Sequence, residues 1–153
     1  MLVSPEIDLF IQRQTEILIR SFQHWIGRDL LEKKEGDLAQ ALFEAPFVVV
    51  SHGTQVDPIL NYGNRKALEL WEMDWKTLTS TPSRLTAEPD SREARARLLN
   101  EVTGRGYIDH YSGVRISKTG KRFKIENAVV WNLLDEKGMS CGQAAMFKDW
   151  MYL

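Results

Sequence analysis

The last third of the chain has the pattern of three consecutive strands joined by two tight turns. The turns lie at residues 117–121 (SKTGK) and 135–138 (DEKG), and each contains a glycine that can take the positive φ of a hairpin. The strands are predicted at about residues 107–117, 122–134 and 139–147. Such an antiparallel sheet needs a cover on one face, and upstream helices can supply it while leaving space for a small ligand.

A helical stripe of apolar side chains dominates the start of the chain. Its members are Ile7, Phe10, Ile11, Leu18, Phe22, Trp25 and Ile26. Ser4 is a good N-cap for this helix, and Gly27 is a suitable stop. If the helix packs on its own domain, its aromatic residues are core, and otherwise they form a subunit interface, so both alternatives stay open. The candidate dimer-interface residues are Phe10, Leu18, Phe22 and Trp25.

The middle of the chain predicts two further strands and several short helices. The strands fall at residues 46–52 and 60–63, and a loop at 81–89. The helices fall at residues 38–44, 64–71, 75–79 and 90–102, and Asp37, Asn64 and Asp74 are the predicted N-caps of the first three. This order predicts an α+β fold, a five-stranded antiparallel sheet with helices on one face. We expect an N-terminal helical extension over residues 1–36 and the sheet domain over residues 37–153.

Composition narrows the class of protein. Of 153 residues, 43% are hydrophobic and 27% are charged, as expected for one globular domain with its own core. The net charge of −1 gives no field that would attract nucleic acid or an anionic membrane. Cys141 is the single cysteine, which excludes an intrachain disulfide and a multi-thiolate zinc site. With no membrane-length apolar run and no secretory signal, we expect a cytoplasmic protein.

No set of residues typical of catalysis or metal binding is evident. The chain has no nucleophile elbow, phosphate loop or dinucleotide fingerprint, and its three histidines lack metal-ligand spacing. Ser51 and His52 are neighbours on a predicted strand, so their side chains point to opposite faces and make a poor catalytic pair. Arg92 and Arg95 can present a fork to a carboxylate or phosphate, but a solvated helix face is the favoured interpretation.

Several segments resemble PAS domains and, more closely, the PAS-related MEKHLA domain. The PAS-like segments are residues 61–71 (NYGNRKALELW), 118–123 (KTGKRF), 135–138 (DEKG) and 142–149 (GQAAMFKD). The MEKHLA-like segments are residues 83–88 (SRLTAE), 111–115 (YSGVR), 130–135 (VWNLLD) and 142–145 (GQAA). The resemblance covers about residues 38–150 and implies a PAS-like fold. A similar domain closes plant homeodomain leucine-zipper transcription factors, where it is linked to control of dimerisation.

The resemblance also implies where a ligand would lie, because PAS ligands sit between the inner sheet face and the helices. Aligning the hairpins places Phe123, Ile125 and Asn127 of the central strand on the inner face, together with Gln143 and Ala145 of the last strand. His52, at the end of the first strand, and Arg84, in the family's Ser-Arg-Leu motif, complete the candidate ligand-binding set. The central strand is one residue longer than the usual PAS strand, which predicts a β-bulge.

The identity of any cofactor stays unknown at this stage. Cys141 lies on the last strand, outside the motif that carries the reactive cysteine of flavin-binding LOV domains, so no covalent flavin is expected. Haem-binding PAS domains usually place their ligand on the helix before the third strand. That helix, residues 90–102, has no histidine, so haem is not expected either.

The first interpretation is a stand-alone PAS-like sensory module that binds an unidentified small molecule and signals through protein-protein contacts. It would form a homodimer and act on a separate output protein, and it would bind no nucleic acid and no membrane. The alternative is a ligand-free interaction or dimerisation domain with a filled core. A second alternative is a small enzyme that uses the same cavity, with His52 as acid or base and Arg84 as an anion clamp.

Overall fold

A computed structural model describes residues 5–32 and 35–153 of the chain. The helices are α1 (Leu9–Ile26), α2 (Leu38–Phe43), α3 (Arg65–Trp71), α4 (Trp75–Leu78) and α5 (Pro89–Arg105), with one 3-10 turn (Ser83–Thr86) before α5. The strands are β1 (Val48–His52), β2 (Leu60–Gly63), β3 (Tyr107–Ile116), β4 (Arg122–Leu134), β5 (Ser140–Phe147) and β6 (Asp149–Tyr152).

The strands form one antiparallel sheet with the order β2-β1-β5-β4-β3. The predicted five strands are therefore confirmed. The prediction missed β6, which follows β5 after a break at Lys148 and pairs with the first half of β4. Because β4 has 13 residues and β5 has 8, β4 extends beyond β5 and leaves an edge that β6 covers.

Helices cover both faces of this sheet. Val129, Trp131 and Leu133 of β4 pack in a cluster with α1, whereas Val130 packs with α5. Neighbouring residues of a strand point to opposite faces, so α1 and α5 lie on opposite sides of the sheet. We call the side under α5 the inner face and the side under α1 the outer face.

The first helix packs on its own domain, which decides between the two alternatives for its aromatic stripe. Leu18 and Phe22 are fully buried, and the Phe22 ring meets Trp131 of the outer face edge-on, with 5.0 Å between ring centroids. Trp25 is half-buried and donates from Nε1 to the carbonyl oxygen of Asn132 at 2.9 Å. Leu18 and Phe22 are therefore core residues and not interface residues. Of the four candidates, Phe10 alone is strongly exposed.

The sequence predicted where α1 ends but not where it begins. Gly27 takes φ +79° and caps the C-terminus, as predicted. The helix begins later than expected, because Asp8 serves as the N-cap and accepts a hydrogen bond from the Ile11 amide at 2.9 Å. The predicted cap, Ser4, lies outside the described residues.

The expected bulge in the central strand is present at Asn127, which takes φ +53°. One extra residue of β4 lies here between the pairs Tyr111–Ala128 and Gly113–Ile125. The bulge shifts the facing of the strand, so Ala128 and Val130 follow Ile125 onto the inner face. Asn127 itself is exposed in a groove of the outer face. Its predicted inner-face position is therefore wrong, because the extra residue is Asn127 itself.

A single asparagine joins three elements at the edge of the sheet. The buried Asn64 side chain donates from Nδ2 to the carbonyl oxygens of Leu42 (3.3 Å) and Phe47 (2.7 Å). Its Oδ1 accepts from the amides of Val49 (3.1 Å) and Ala67 (3.2 Å), and the second of these bonds caps α3. This side chain thus fixes α2, β1 and α3 relative to one another.

Candidate functional site

A cavity of about 60 Å³ lies on the inner face between the sheet, α5 and the 3-10 turn. Its lining residues are Val50, Ser51, His52, Leu60, Trp71, Thr86, Arg95, Leu98, Leu99, Tyr111, Arg115, Ile125, Val130, Gln143, Ala144, Ala145 and Phe147. Most of this wall is apolar, and its polar members reach the cavity from the strands, from the 3-10 turn and from α5. The arrangement is that of a small-ligand site, in which a few polar groups orient a molecule held by apolar contacts.

Four of the seven predicted ligand-binding residues line this cavity: His52, Ile125, Gln143 and Ala145. They come from three different strands. Pairing aligns them, because His52 faces Gln143 across β1 and β5, while Ala145 faces Val50 and Val130. The hairpin alignment therefore placed Gln143 and Ala145 of β5 correctly, but it also put Cys141 on the inner face, whereas Cys141 packs with the cluster on the opposite face.

The other three predicted residues lie elsewhere. Arg84 extends to the surface, where its Nε pairs with Asp57 at 3.2 Å and both side chains are about half exposed. Phe123 is on the inner face but is fully buried against Trp71, so it belongs to the core. Asn127 occupies the outer-face groove described above.

Two arginines outside the predicted ligand-binding set, Arg95 and Arg115, line the cavity. Arg95 of α5 donates a hydrogen bond to the hydroxyl of Ser83, and burial, reinforced by the charge of Arg115, lowers the pKa of its guanidinium to about 10. Arg115 of β3 is 7% exposed and donates to the carbonyl of Val114 (2.8 Å) and the hydroxyl of Tyr111 (3.1 Å).

The signal for Arg115 was present in the sequence as a period-two pattern. Tyr111, Gly113 and Arg115 share one face of β3, and the middle residue has no side chain. A Cβ at Gly113 would overlap the Tyr111 hydroxyl, so the glycine leaves room for the Tyr111 ring. The guanidinium carbon of Arg115 lies over that ring, 5.6 Å from its centroid. The sequence suggested Arg95 only as half of a fork with Arg92, and the favoured interpretation, a solvated helix face, is wrong for Arg95 because it lines the cavity. The hydrophobic pattern of α5 is too weak to show which of its faces is covered.

A network of hydrogen bonds connects the cavity wall to α5 and, through Asn132, to α1. Gln143 donates from Nε2 to Leu99 O, Thr103 Oγ1 and Asn132 Oδ1, each at 3.1 Å. Asn132 in turn donates to Val102 O at 3.0 Å. The backbone carbonyl oxygen of Asn132 accepts a hydrogen bond from Trp25 Nε1 of α1, as noted above. A change at Gln143 is therefore connected through one residue to the C-terminal turn of α1 on the opposite face.

His52 lies at the end of β1 with its ring buried. Its Nδ1 is 2.9 Å from the carbonyl oxygen of Gly53, which can only accept, so Nδ1 carries the proton in the neutral ring. The Nε2 atom is buried without a partner among the described protein groups. Burial lowers the pKa of His52, and the positive charge of Arg95 adds to that effect.

Acid is expected to destabilise the fold through His52. The unfolded chain takes up a proton at His52 near the ordinary pKa of about 6.5, whereas the folded chain resists until a lower pH, so stability falls as the pH drops below that value. We expect His52→Gln to lose less stability than the wild type between neutral pH and pH ~5.5, measured by urea unfolding. His24→Gln, at an exposed position of α1, is the control. An equal acid loss in wild type and His52→Gln would contradict the assignment.

The described part of the chain gives little support to a metal site, to a reactive cysteine at the cavity or to a membrane-spanning helix. No group of three or more His, Cys, Asp or Glu side chains there is placed to hold a metal ion. Cys141 packs against the outer-face cluster and not on the cavity, and burial raises its thiol pKa. Within residues 5–32 and 35–153, no helix has the length and apolar character needed to cross a membrane.

The sequence of the chain matches a known domain family over nearly its whole length. The family model of the MEKHLA domain matches residues 12–152. The chain belongs to the MEKHLA domain family. The matched span includes most of α1, the helix that covers the outer face of the sheet.

Curated relatives of this MEKHLA domain are plant homeobox-leucine zipper proteins. HOX10 of Oryza sativa subsp. indica is 24% identical over 138 residues, which is 88% of this chain and 16% of the rice protein. ATHB-8 of Arabidopsis thaliana is 22% identical over 136 residues, or 87% of this chain and 16% of that protein. The chain thus spans about a sixth of these relatives, so their activities as whole proteins are not established for it.

Solved structures with the same fold are PAS and LOV domains. The PAS domain of a protein from Colwellia psychrerythraea superposes with a TM-score of 0.62 at 17% identity, covering 72% of this chain and 92% of that domain. The LOV domain of the blue-light photoreceptor Aureochrome1, in its dark structure, gives a TM-score of 0.56 at 20% identity, covering 77% and 86%. These likenesses establish the PAS fold of the chain.

Proposed function

We propose that this MEKHLA domain is a sensory module that binds a small molecule in the inner-face cavity and passes its occupancy to another protein. The observation that carries the proposal is the cavity itself, where His52, Gln143, Arg95 and Arg115 meet apolar walls. A domain used only for protein contacts would gain stability from filling this space with apolar side chains. Instead the space is open, and two buried polar atoms of its lining residues, His52 Nε2 and Trp71 Nε1, have no hydrogen-bond partner among the described residues.

The enzyme alternative finds less support at the same place. An acid-base reaction centred on His52 is expected to place a carboxylate beside it in the cleft. Among the lining residues of the cavity, no aspartate or glutamate accompanies His52. Arg84, the proposed anion clamp, is engaged with Asp57 at the surface. The geometry favours binding over turnover.

In this proposal the route from ligand to partner runs through α5 and α1. A ligand that displaces Gln143 disturbs its bonds to Leu99, Thr103 and Asn132, and thereby the carbonyl that holds Trp25. Trp25 packs tightly over Gly106, at the junction of α5 and β3, where a Cβ would overlap the indole ring. The C-terminal turn of α1 would therefore shift when a ligand displaces Gln143. A homodimer partner or a separate output protein that contacts this turn would respond to the shift.

The cavity can be tested by filling it. In Ala145→Leu, the larger side chain projects between Val50 and Val130 and occupies the space a ligand needs. We expect wild-type protein, freshly purified or incubated with a cell metabolite extract, to show a noncovalently bound mass in native mass spectrometry that Ala145→Leu lacks. Ala94→Leu, exposed on α5, is the matched control and should keep the bound mass. Retention of the same mass by folded Ala145→Leu, or its absence from the wild type, would count against the proposal.

A further inference from the structure

Two guanidinium groups reach the cavity without a carboxylate to neutralise them. The ion pairs seen in the described part of the chain involve other cations, and neither Arg95 nor Arg115 takes part in one. Their protein partners are neutral oxygens: Ser83 Oγ for Arg95, and Val114 O and Tyr111 OH for Arg115. Since each guanidinium carries several N–H donors, both retain donors for a further acceptor.

This arrangement of two unpaired positive charges is electrostatically costly. The two positive charges repel each other, and burial together with that repulsion lowers the pKa of Arg95 to about 10, which still leaves it charged at neutral pH. Buried charges are normally paired, because the protein interior does not replace the solvation they lose. A negatively charged ligand placed between the two arginines would supply the missing partner and relieve the repulsion.

The size and the walls of the cavity limit what that anion can be. A volume of about 60 Å³ gives room for roughly four to six water-sized atoms, because a cavity needs about 10–15 Å³ to hold one water. Leu98, Ile125 and Val130 line the cavity beside the arginines, and such a wall suits a short hydrocarbon body. A planar carboxylate matches the fork of a guanidinium, whereas free phosphate would leave the apolar wall without a partner.

We propose that the cavity binds a short-chain monocarboxylate, with its carboxylate between Arg95 and Arg115 and its hydrocarbon body against Leu98, Ile125 and Val130. This inference rests on the proposed function, because it names the ligand class for the same cavity. It assigns Arg95 and Arg115, and not Arg84, as the anion-binding residues. It also gives Gly113 a role, since the glycine leaves room for the Tyr111 hydroxyl that accepts a hydrogen bond from Arg115.

The test compares an anion with its neutral isostere. Butanoate and butanamide have nearly the same shape but differ in charge. Isothermal titration calorimetry of the full chain measures the affinity for each of them and for inorganic phosphate as a third probe. We expect butanoate to bind at least about tenfold more tightly than butanamide, and phosphate to bind more weakly than butanoate. Arg95→Met should lose about tenfold or more in butanoate affinity, whereas Arg84→Met, the control at the Asp57 pair, should match the wild type.

The contrary outcomes separate an error in the ligand class from a failure of the proposed function. Equal binding of butanoate and butanamide, unchanged butanoate affinity in Arg95→Met, or phosphate as the tightest probe would overturn the carboxylate assignment. So would a lack of butanoate binding at about 10 mM. If wild type still carries a bound mass that Ala145→Leu lacks, the proposed sensory function stands and only the ligand class is wrong. If Arg95→Met does not fold, the butanoate and butanamide comparison on the wild type decides alone.

Discussion

Phe22→Ala is expected to lower the free energy of unfolding by about 3–5 kcal/mol, the range found when a buried aromatic side chain is truncated. Phe22 is fully buried between α1 and the sheet, where its ring meets Trp131 edge-on. The deletion removes apolar contacts, this aromatic pair and the cation-π contact of Arg28, 5.6 Å from the ring centroid. Urea unfolding followed by tryptophan fluorescence measures the change.

Phe10→Ala is the matched control on the same helix. Phe10 is 51% exposed, so its truncation is expected to change the free energy of unfolding by less than about 0.5 kcal/mol. Size-exclusion chromatography of both variants separates folding from association. If Phe22→Ala were nearly as stable as the wild type but changed the oligomeric state, α1 would be an interface helix and its placement on the outer face would be refuted.

Asn64→Ala is expected to cost a similar amount, about 3–5 kcal/mol, although it removes few apolar contacts. The substitution leaves two carbonyl oxygens, of Leu42 and Phe47, and two amides, of Val49 and Ala67, without the bonds they make to Asn64. Unpaired buried polar groups retain their desolvation cost without the compensating hydrogen bond. The same urea experiment reports the loss.

Asp74→Ala isolates the capping part of this effect. Asp74 caps α4 as Asn64 caps α3, because its Oδ1 accepts a hydrogen bond from the Thr77 amide at 2.7 Å. Unlike Asn64, it is exposed and does not bridge to other described elements. Its replacement should cost about 1 kcal/mol. The difference between the two variants measures what Asn64 contributes by fixing α2, β1 and α3 together. Equal losses would mean that Asn64 acts as a helix cap and nothing more.

Local chemistry explains which features were predictable. Gly120 and Gly138 take φ +93° and +77° at the two hairpin turns, as the turn sequences required. Asp37, Asn64 and Asp74 each cap the helix that the sequence placed after them. These features depend on a few neighbouring residues, so they can be recognised without knowing how the sheet packs.

The errors at the site arise where facing depends on distant parts of the chain. A bulge was expected in the central strand, but its position was not, and the extra residue proved to be Asn127, which therefore turned away from the cavity. Arg84 and Arg95 are both arginines on polar segments, yet one pairs with Asp57 at the surface and the other faces the cavity. Sequence spacing alone does not distinguish these environments.

The sequence by itself determined the first five strands, the two hairpin turns, the caps of α2, α3 and α4 and the family, because these follow from local conformational preferences and from motifs that adjacent residues carry. Only the tertiary structure decided that α1 covers the outer face and that Arg95 and Arg115 meet in one cavity. The physical reason is that burial and electrostatic environment are properties of packed surfaces. They depend on residues brought together from α5 and β3, and no local pattern of either segment specifies the other.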